Sequence, residues 1–441
     1  MRKHILAFGG ILLLVLFGFW FWVSRPDEAK LSVEAVMGRL PKITDPRPQT
    51  YPTIDIAEAV GWPQGAAPTP AKGLAVKAFA RGLDHPRWLY RLPNGDVLVA
   101  EANAPPREGG GITGWVMGRM MKKAGADTPS ANRITLLRDA DGDGVAETRT
   151  VLISGLNSPT GMALMGGYLY IGNTDALVRV PYKDGDTRIT AKPELVVKLR
   201  GGGFHWARNV LAAADGKTLF VTVGSSTNIA ENGIDAEKYR ANILQVYPET
   251  KTFRIYAAGL RNPNGLAYEP HSGQLWVTVN ERDMLGSDLA PDYMSQIETG
   301  DHFGWPWYYW GGYPDKRVQP ENPELQQYSK RPDYALGPHV AALGIAFAGD
   351  AKLGPNFANG AFVGEHGSWN RVPVSGYKVI YVPFGTNGFP VRGVRPVDVL
   401  TGFLDKNGAA RGRPVGVITD KSGGLLVADD VGNVIWRVSA T

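Results

Sequence analysis

A histidine that follows three glycines is the residue best placed to do chemistry in this chain. His205 lies in the stretch Gly201-Gly-Gly-Phe-His-Trp-Ala-Arg-Asn209, where the glycines allow backbone conformations that other residues rarely adopt. It precedes a run of β-forming residues that ends at Val223-Gly-Ser-Ser226. Neutral imidazole accepts protons near neutral pH, so a histidine at the mouth of a strand can serve as a general base. A histidine packed beneath a loop and bonded to backbone is the alternative.

The composition excludes several kinds of redox centre. The chain has 441 residues, 44% of them apolar, and no cysteine. The absence of cysteine excludes disulfides, zinc–thiolate sites, iron–sulfur clusters and covalently attached haem. Redox chemistry would therefore need a bound cofactor and an external electron partner. The net charge of +5 is spread without a long basic run, which does not favour a nucleic-acid partner.

The first residues predict attachment to a membrane. Arg2 and Lys3 precede an uncharged apolar run over residues 5–23, and a helix rising about 1.5 Å per residue over that run nearly spans a hydrocarbon core of about 30 Å. No small-residue cleavage motif follows Val23, which favours an uncleaved transmembrane anchor over a signal peptide. We predict an anchor over residues 1–24 in the cytoplasmic membrane, with the rest of the protein facing the periplasm. Residues 25–73, rich in Pro and Ala, are predicted to be a tether.

A unit of loop, strand, tight turn and strand recurs from Leu74 to the C-terminus. The copies begin near Gly82, Gly155, Phe204, Gly259, Leu343 and Gly412. Six such hairpins predict an all-β, six-bladed β-propeller over residues 74–441, because a β-sandwich has no reason to repeat this order six times. We expect the ring to close by pairing a strand near residues 74–80 with one near residues 434–438, which limits exposed edges.

One mouth of such a ring collects the loops that enter the innermost strands and the ends of the strands beside them. The residues expected there are Arg87, Thr160, His205, Arg208, Arg261, Asn262 and Arg413, with Glu101, Asn173, Ser225, Glu281, His366 and Asp430 from the second strands. Cations, amides, carboxylates and two histidines make a lining more polar than a structural plug requires. A funnel of this kind suits a polyanionic planar ligand.

Five motifs in this part of the chain resemble the glucose/sorbosone dehydrogenase family, in its sorbosone-dehydrogenase-like branch. They are Gly259-Leu-Arg-Asn-Pro-Asn-Gly-Leu-Ala267, Asn280-Glu-Arg-Asp283, Gly300-Asp-His-Phe-Gly-Trp-Pro306, His366-Gly-Ser-Trp-Asn-Arg371 and Gly412-Arg-Pro-Val-Gly-Val417. The motifs occur in order from about Leu74 to the C-terminus. Members of this family use pyrroloquinoline quinone (PQQ) on a six-bladed propeller, so the resemblance implies that fold and cofactor.

The resemblance also implies roles for individual residues. His205 corresponds to the family's general base, which removes a hydroxyl proton as hydride passes to the quinone. Arg261, also a catalytic candidate, and Asn262 match the pair that contacts the quinone oxygens. The remaining cofactor-binding candidates are Thr160, Arg208, Arg371 in the place of a family lysine, and Arg413 as a cation for the PQQ carboxylates.

The chain departs from the family beside the histidine. Soluble glucose dehydrogenases have an aspartate after the following strand, whereas this chain has Ser225. A carboxylate there would orient the base and raise its pKa, and a serine can only orient it. Either another acid substitutes for the aspartate or the base is weaker, and glucose becomes a doubtful substrate.

Calcium is expected in two places. The resemblance implies a Ca2+ held against PQQ by backbone carbonyls in the loop of Arg282, Asp283 and Met284. Separately, oxygen-bearing side chains alternate in the stretch of Asp139, Asp141, Asp143 and Glu147, as in calcium loops. A plain hairpin turn explains this second stretch equally well, and a calcium there would be structural.

Three functions remain open from the sequence. The first is a membrane-anchored PQQ-dependent dehydrogenase that oxidises an aldose or sugar aldehyde and passes electrons to a quinone or a soluble carrier such as a cytochrome. The second is a lactonase-type hydrolase, which would need a catalytic metal held by side-chain carboxylates and histidines. The third is a non-catalytic propeller that binds sugar or protein, which would tolerate loss of His205.

Overall fold

The computed structural model describes residue 18 and residues 25–106 and 118–441. The predicted transmembrane segment over residues 1–24 therefore lies outside the described residues, apart from Gly18. Among the residues described, no helix is both long and apolar enough to cross a membrane.

Within residues 25–106 and 118–441 the chain forms six antiparallel sheets arranged as the blades of a propeller. Ahead of the first blade come β1 (Met37–Gly38), β2 (Thr69–Pro70) and β3 (Leu74–Arg81). Blade 1 holds β4 (Pro86–Arg91), β5 (Val97–Glu101), β6 (Arg133–Arg138) and β7 (Thr148–Ser154). Blade 2 holds β8 (Met162–Met165), β9 (Tyr168–Asn173), β10 (Ala176–Pro181) and β11 (Glu194–Lys198). Blade 3 holds β12 (Val210–Ala212), β13 (Leu219–Val223), β14 (Asn242–Tyr247) and β15 (Thr252–Ala258).

The second half of the chain supplies the other blades. Blade 4 holds β16 (Asn262–Tyr268), β17 (Leu275–Asn280), β18 (Pro291–Ile297) and, after a small hairpin of β19 (Tyr308–Tyr309) and β20 (Tyr313–Pro314), β21 (Tyr334–Pro338). Blade 5 holds β22 (Ala342–Phe347), β23 (Gly360–Glu365), β24 (Lys378–Pro383) and β25 (Val397–Thr401). Blade 6 holds β26 (Pro414–Thr419), β27 (Leu425–Asp429) and β28 (Val434–Ala440) and takes β3 as its outermost strand. Short 3-10 helices in the connections span Val33–Val36, Ile234–Glu237, Pro323–Tyr328, Ala348–Asp350 and Pro355–Phe357.

The ring closes as the sequence predicts. Strand β3 pairs antiparallel with β28, from Leu74 opposite Ala440 to Arg81 opposite Val434. The innermost strands β4, β8, β12, β16, β22 and β26 neighbour one another around the axis. The all-β propeller fold is therefore confirmed. Strand β3 completes blade 6 and so closes the ring.

Apolar side chains fill the spaces between neighbouring blades. Trp276 of blade 4 is completely buried and packs edge-on against Phe384 of blade 5, with ring centroids 5.0 Å apart. Similar clusters join blade 1 to blade 2 and blade 6 to blade 1. Burial of this kind stabilises the ring through the hydrophobic effect, and it leaves the polar ends of the inner strands for the axis.

β-Bulges occur near the start of several innermost strands. The ladder shifts between Pro263 and Leu266 in β16 and between Pro414 and Val417 in β26, and comparable shifts occur in β4 and β22. A bulge bends its strand and re-aims the side chains beside it. The bulges therefore lie next to Arg87, Asn262 and Arg413, the side chains expected at the mouth.

Residues 25–73 lie along the propeller. Strand β1 adds to the outer edge of blade 4 and β2 to the outer edge of blade 5. Between these strands, the backbone N–H groups of Gln49 and Asp55 donate to loops of blades 4 and 5, and Trp62 Nε1 donates to Asp429 Oδ2 of blade 6 at 2.7 Å. The segment is thus part of the folded body and runs beside the loops that form the mouth.

Candidate functional site

The ring of His205 is fixed by Ser225, which lies two residues beyond the end of β13. Nδ1 is 2.9 Å from the backbone oxygen of Ser225 and 3.0 Å from its Oγ. A carbonyl oxygen can only accept, so Nδ1 must carry the proton and donate. The Ser225 hydroxyl gives its own proton to the Thr227 carbonyl at 2.6 Å, which agrees with its accepting from the ring. Nε2 of the neutral ring therefore keeps a free lone pair, as a general base requires.

Burial and charge keep this imidazole neutral. Burial lowers the pKa of His205 well below its ordinary value, and the charge of Arg261 lowers the pKa further. The Ser225 carbonyl and the Asp283 carboxylate raise the pKa without reversing the shift. Ser225 thus orients the ring, and the acid that acts on it is Asp283 from blade 4. His205 is therefore a weaker base than an ordinary imidazole, and its environment favours the neutral form.

Gly224 allows His205 and Asn262 to approach each other. A Cβ atom at position 224 would stand 2.5 Å from Asn262 Oδ1 and 2.5 Å from His205 Cβ, which is closer than packed atoms can come. Asn262 Nδ2 donates to Asn280 Oδ1 at 3.1 Å, so the amide is anchored to the neighbouring strand. The structure thus brings two of the predicted site residues together across blades 3 and 4.

Arg261 supplies a fixed positive charge beside this pair. Its guanidinium donates to the Glu281 carbonyl at 2.7 Å, to Asn228 Oδ1 at 2.9 Å and to Asp283 Oδ2 at 2.9 Å. His339 Nδ1 lies 3.3 Å from the other oxygen of Asp283. Burial raises the pKa of Asp283, but Arg261 and His339 lower it below its ordinary value, so the group is a carboxylate. A guanidinium held this firmly can stabilise charge that develops next to it without moving.

The other wall of the mouth is built around Asp430 from blade 6. Arg87 from blade 1 bonds to Asp430 Oδ2 through NH1, and His366 Nε2 from blade 5 lies 2.9 Å from the same oxygen. Burial raises the pKa of Asp430, but His366, His85 and Arg87 lower it well below its ordinary value. Burial also lowers the pKa of His366 to about 4, so His366 is neutral and donates from Nε2. Side chains of blades 1, 5 and 6 therefore meet at the mouth, as the repeat predicts.

Arg413 offers a cation at this wall. Its NH2 donates to Tyr377 Oη at 3.0 Å, and its guanidinium carbon lies 4.8 Å from the centre of the Tyr377 ring. Among the described residues its buried Nε finds no hydrogen-bond partner. A buried donor without a partner is costly, and an anionic ligand would relieve that cost. Arg413 therefore fits the carboxylates of an acidic cofactor such as PQQ.

Three other predicted cofactor contacts are engaged within the protein. Arg208 is fully buried and donates to the carbonyls of His205 at 2.9 Å and of Arg200 at 2.7 Å. Thr160 Oγ1 exchanges hydrogen bonds with the backbone of Arg208 at 2.8 and 3.0 Å. Arg371 donates to the carbonyls of Pro373 at 2.5 Å and of Leu31 at 3.2 Å. These side chains thus hold the loop of His205 and the N-terminal segment in place, although within the described residues Nε of Arg208 and Nε of Arg371, like that of Arg413, find no hydrogen-bond partner.

The loop expected to hold calcium against PQQ does not fit that ion. Arg282 is fully buried and donates to the Pro306 and Tyr308 carbonyls at 2.5 and 2.6 Å. The carbonyls of Asp283 and Met284, expected as ligands, both accept from Arg317 NH1, at 3.1 and 3.0 Å. A guanidinium occupies the position where backbone oxygens would have to face a metal.

The acidic stretch of blade 1 lies in the turn between β6 and β7. The carboxylate oxygens of Asp139, Asp141, Asp143 and Glu147 come within 4.8 Å of one another. They also cap the turn, since Asp139 accepts from the backbone N–H groups of Gly142 and Gly144 at 2.8 and 2.9 Å. The structure therefore shows a hairpin turn, and calcium at this place stays a prediction.

Sequence reasoning missed several groups that the structure brings to the mouth. His339 and Arg317 lie outside the repeated hairpin, so alignment of the copies could not place them. Asp283 was expected to contribute backbone, whereas its carboxylate bridges Arg261 and His339. Asp430, in contrast, was expected at the mouth, because it follows the second strand of its copy.

A cavity opens beside the Asp430 wall. It has a volume of about 620 Å³ and is lined by Ala59, Val60 and Gly61 of the N-terminal segment together with His85 and Asp430. Another cavity of about 660 Å³, between β1 and the loop before β25, contains none of the predicted site residues. Of these two cavities, the first therefore borders the polar cluster and the second does not.

Comparison with known proteins agrees with this architecture. The family model described as TrAA12-like matches residues 68–294 and 290–441. Aldose sugar dehydrogenase YliI of Escherichia coli K12 is 25% identical over 311 residues, which cover 66% of this chain and 77% of that protein. A pyrroloquinoline quinone-dependent pyranose dehydrogenase of Coprinopsis cinerea is 24% identical over 427 residues, covering 83% of this chain and 54% of that protein.

Solved structures show the same fold. A Trichoderma reesei protein of carbohydrate-active enzyme family AA12 superposes with a TM-score of 0.69 at 18% identity, covering 88% of this chain and 99% of its own. The holo form of the Coprinopsis cinerea pyranose dehydrogenase PQQ domain superposes with a TM-score of 0.68 at 19% identity, covering 87% and 100%.

Proposed function

The chain belongs to the TrAA12-like family, whose structural neighbours are PQQ-dependent sugar dehydrogenases with a six-bladed propeller, and on that premise we propose that it is a PQQ-dependent dehydrogenase of an aldose or sugar aldehyde. Its relatives support sugar oxidation in general. We also propose a sorbosone-like substrate, because the motifs of the sequence suggest one.

The observation that carries the proposal is the tautomer of His205. Because the Ser225 carbonyl fixes the proton on Nδ1, Nε2 is free to take the hydroxyl proton of a sugar or of a hydrated aldehyde. PQQ, when bound, would accept the hydride from the carbon that bears this hydroxyl group. The substrate then loses one proton and one hydride and gains a carbonyl bond.

The other residues of the mouth would bind and stabilise. Arg261 and Asn262 lie next to His205 and would contact the quinone oxygens, where the fixed charge of Arg261 favours the reduced form. Arg413, with its unpartnered Nε, would hold a cofactor carboxylate. On the second wall, Arg87 is fixed by Asp430 and would add a further cation.

We propose further that the electrons pass to a membrane quinone or a cytochrome and that the propeller faces the periplasm. The support is the apolar run of residues 5–23 with its basic flank.

The lactonase alternative is less well supported. It needs side-chain carboxylates free to bind a metal. Here Asp283 is paired with Arg261 at 2.9 Å, and Asp430 is paired with Arg87. Cations therefore already occupy these two carboxylates of the mouth.

The test is reconstitution of the apoprotein with PQQ, followed by dye reduction over a panel of sugars and aldehydes. We expect His205→Ala to lower kcat by about 10²–10⁴-fold, as for loss of a general base. His271→Ala is the matched control, because His271 is half-exposed on a turn of blade 4 and, among the described residues, bonds to Glu269 away from the mouth. Absence of PQQ binding and turnover would sink the proposal, and full turnover in His205→Ala would sink the assigned base.

A further inference from the structure

Arg317 lies between β20 and β21 in blade 4 and occupies the place expected for calcium. Its Nε donates to Asp315 Oδ1 at 2.8 Å, and its NH2 donates to Asp315 Oδ2 at 2.6 Å. Its NH1 donates to the Asp283 carbonyl at 3.1 Å and to the Met284 carbonyl at 3.0 Å. The guanidinium therefore links a buried carboxylate to the two backbone oxygens of the loop that follows β17.

These two carbonyls have no acceptor capacity left for a metal. Each carbonyl oxygen has two lone pairs. The Asp283 oxygen also accepts from Asn228 Nδ2 at 3.1 Å, and the Met284 oxygen also accepts from the backbone N–H of Gln49 at 3.1 Å. A calcium ion, which takes six to eight oxygen ligands at about 2.3–2.6 Å, would have to displace these donors.

The surrounding charges also disfavour a divalent ion. Asp315 is shared between Arg317 at 2.6 Å and Arg282 at 3.4 Å. The Asp283 carboxylate is neutralised by Arg261 at 2.9 Å. An added Ca2+ would meet guanidinium groups on several sides, and like charges at close range in a buried site repel strongly.

We propose that Arg317 supplies the positive charge that the family resemblance leads us to expect from calcium, so that this chain binds PQQ without a metal. This inference rests on the proposed function. A chelator can remove a calcium ion but cannot remove a guanidinium. The buried carboxylate also fixes the position of the guanidinium charge. Arg317 is thus a positioning residue that holds the 283–284 loop and places a cation beside the cofactor site.

The first experiment uses the wild-type protein. PQQ binding is measured by equilibrium dialysis and by the thermal shift that PQQ produces, once with excess EGTA and once with millimolar calcium. We expect the two dissociation constants to agree within about twofold, with no calcium retained by elemental analysis. A dissociation constant more than about tenfold weaker in EGTA would overturn the inference and leave the proposed function standing.

The second experiment converts the site. Arg317→Ala frees the carbonyls of Asp283 and Met284 and one side of Asp315, which together form a set of hard oxygen ligands. We expect this variant to bind PQQ about tenfold more weakly in EGTA and to recover when calcium is added. The control is Arg179→Ala, which removes an arginine paired with Glu194 on the outer edge of blade 2. Its PQQ binding should change neither with EGTA nor with calcium.

The outcomes separate the two proposals. PQQ binding by the wild type in both media, with calcium rescue confined to Arg317→Ala, supports the inference. Loss of PQQ binding in Arg317→Ala that calcium does not restore would assign Arg317 a structural role only. If Arg317→Ala does not fold, the wild-type comparison decides alone. No PQQ binding in either medium would refute the proposed function itself and the inference with it.

Discussion

Ser225→Ala tests whether the backbone or the hydroxyl of Ser225 holds the catalytic histidine. The substitution removes the contact of 3.0 Å from Oγ to His205 Nδ1 and keeps the contact of 2.9 Å from the carbonyl. One lost hydrogen bond contributes about 0.5–1.5 kcal/mol, which corresponds to a two- to tenfold loss of rate at about 1.4 kcal/mol per decade. We therefore expect kcat/KM to fall by about two- to tenfold, because the tautomer of the ring does not change.

The same substitution has a separate effect on stability. Ser225 Oγ donates to the Thr227 carbonyl at 2.6 Å, and a buried carbonyl left without its donor costs about 1–3 kcal/mol. A drop in Tm is thus expected together with the small kinetic loss. Kinetics are measured with saturating PQQ well below the new Tm, so that unfolding does not contribute to the rate.

The control is the neighbouring hydroxyl. Ser226→Ala removes a hydrogen bond of 2.5 Å to Glu237 Oε1 and touches neither nitrogen of His205, so it should lower Tm without lowering kcat/KM. A loss above about a hundredfold in Ser225→Ala, with the fold intact, would show that the hydroxyl holds the ring and would refute the tautomer argument drawn from the carbonyl.

Three further predictions follow from the geometry of the mouth. The pKa of His205 is lowered, so its proton leaves at lower pH and kcat/KM should stay level down to pH values below the ordinary imidazole pKa of about 6.5; an acidic limb at or above that value in a pH profile would contradict the burial argument. Gly224→Ala should place a methyl group 2.5 Å from His205 Cβ and Asn262 Oδ1 and lower kcat by about tenfold or more, measured beside the circular dichroism spectrum; normal turnover would mean that the loop yields. Arg413→Ala should weaken PQQ binding by about tenfold or more, as expected for a charge-assisted hydrogen bond, seen by dialysis; unchanged binding would remove Arg413 from the cofactor site.

The repeated hairpins made the fold predictable from the sequence. Each copy carries its own strand pattern and turn residues, so six local signals agree on one architecture. The closing pair was also predictable, because strands β3 and β28 lie at the two ends of the repeat and must pair with each other to close the ring. The same register placed His205 next to Ser225.

The direction of side chains at the mouth was not predictable in the same way. Register puts Thr160 and Arg208 near the mouth, and the family resemblance adds Arg371, but buried carbonyls need donors, and these side chains supply them. His339 and Arg317 come from connections that differ from blade to blade, so no copy of the repeat points to them. Composition also described residues 25–73 only as a Pro-rich tether, although their backbone pairs with blades 4 and 5.

The pairing of β3 with β28 has a consequence for the order of events during synthesis. Residues 74–81 leave the ribosome first among the strands of the ring, and their partners at residues 434–440 leave last. Until then β3 is an unpaired edge strand, open to pairing with other chains, and its final contact spans nearly the whole sequence, which slows folding. Closure therefore has to wait until residues 434–440 have been made, and removal of those residues would take away the strand with which β3 pairs.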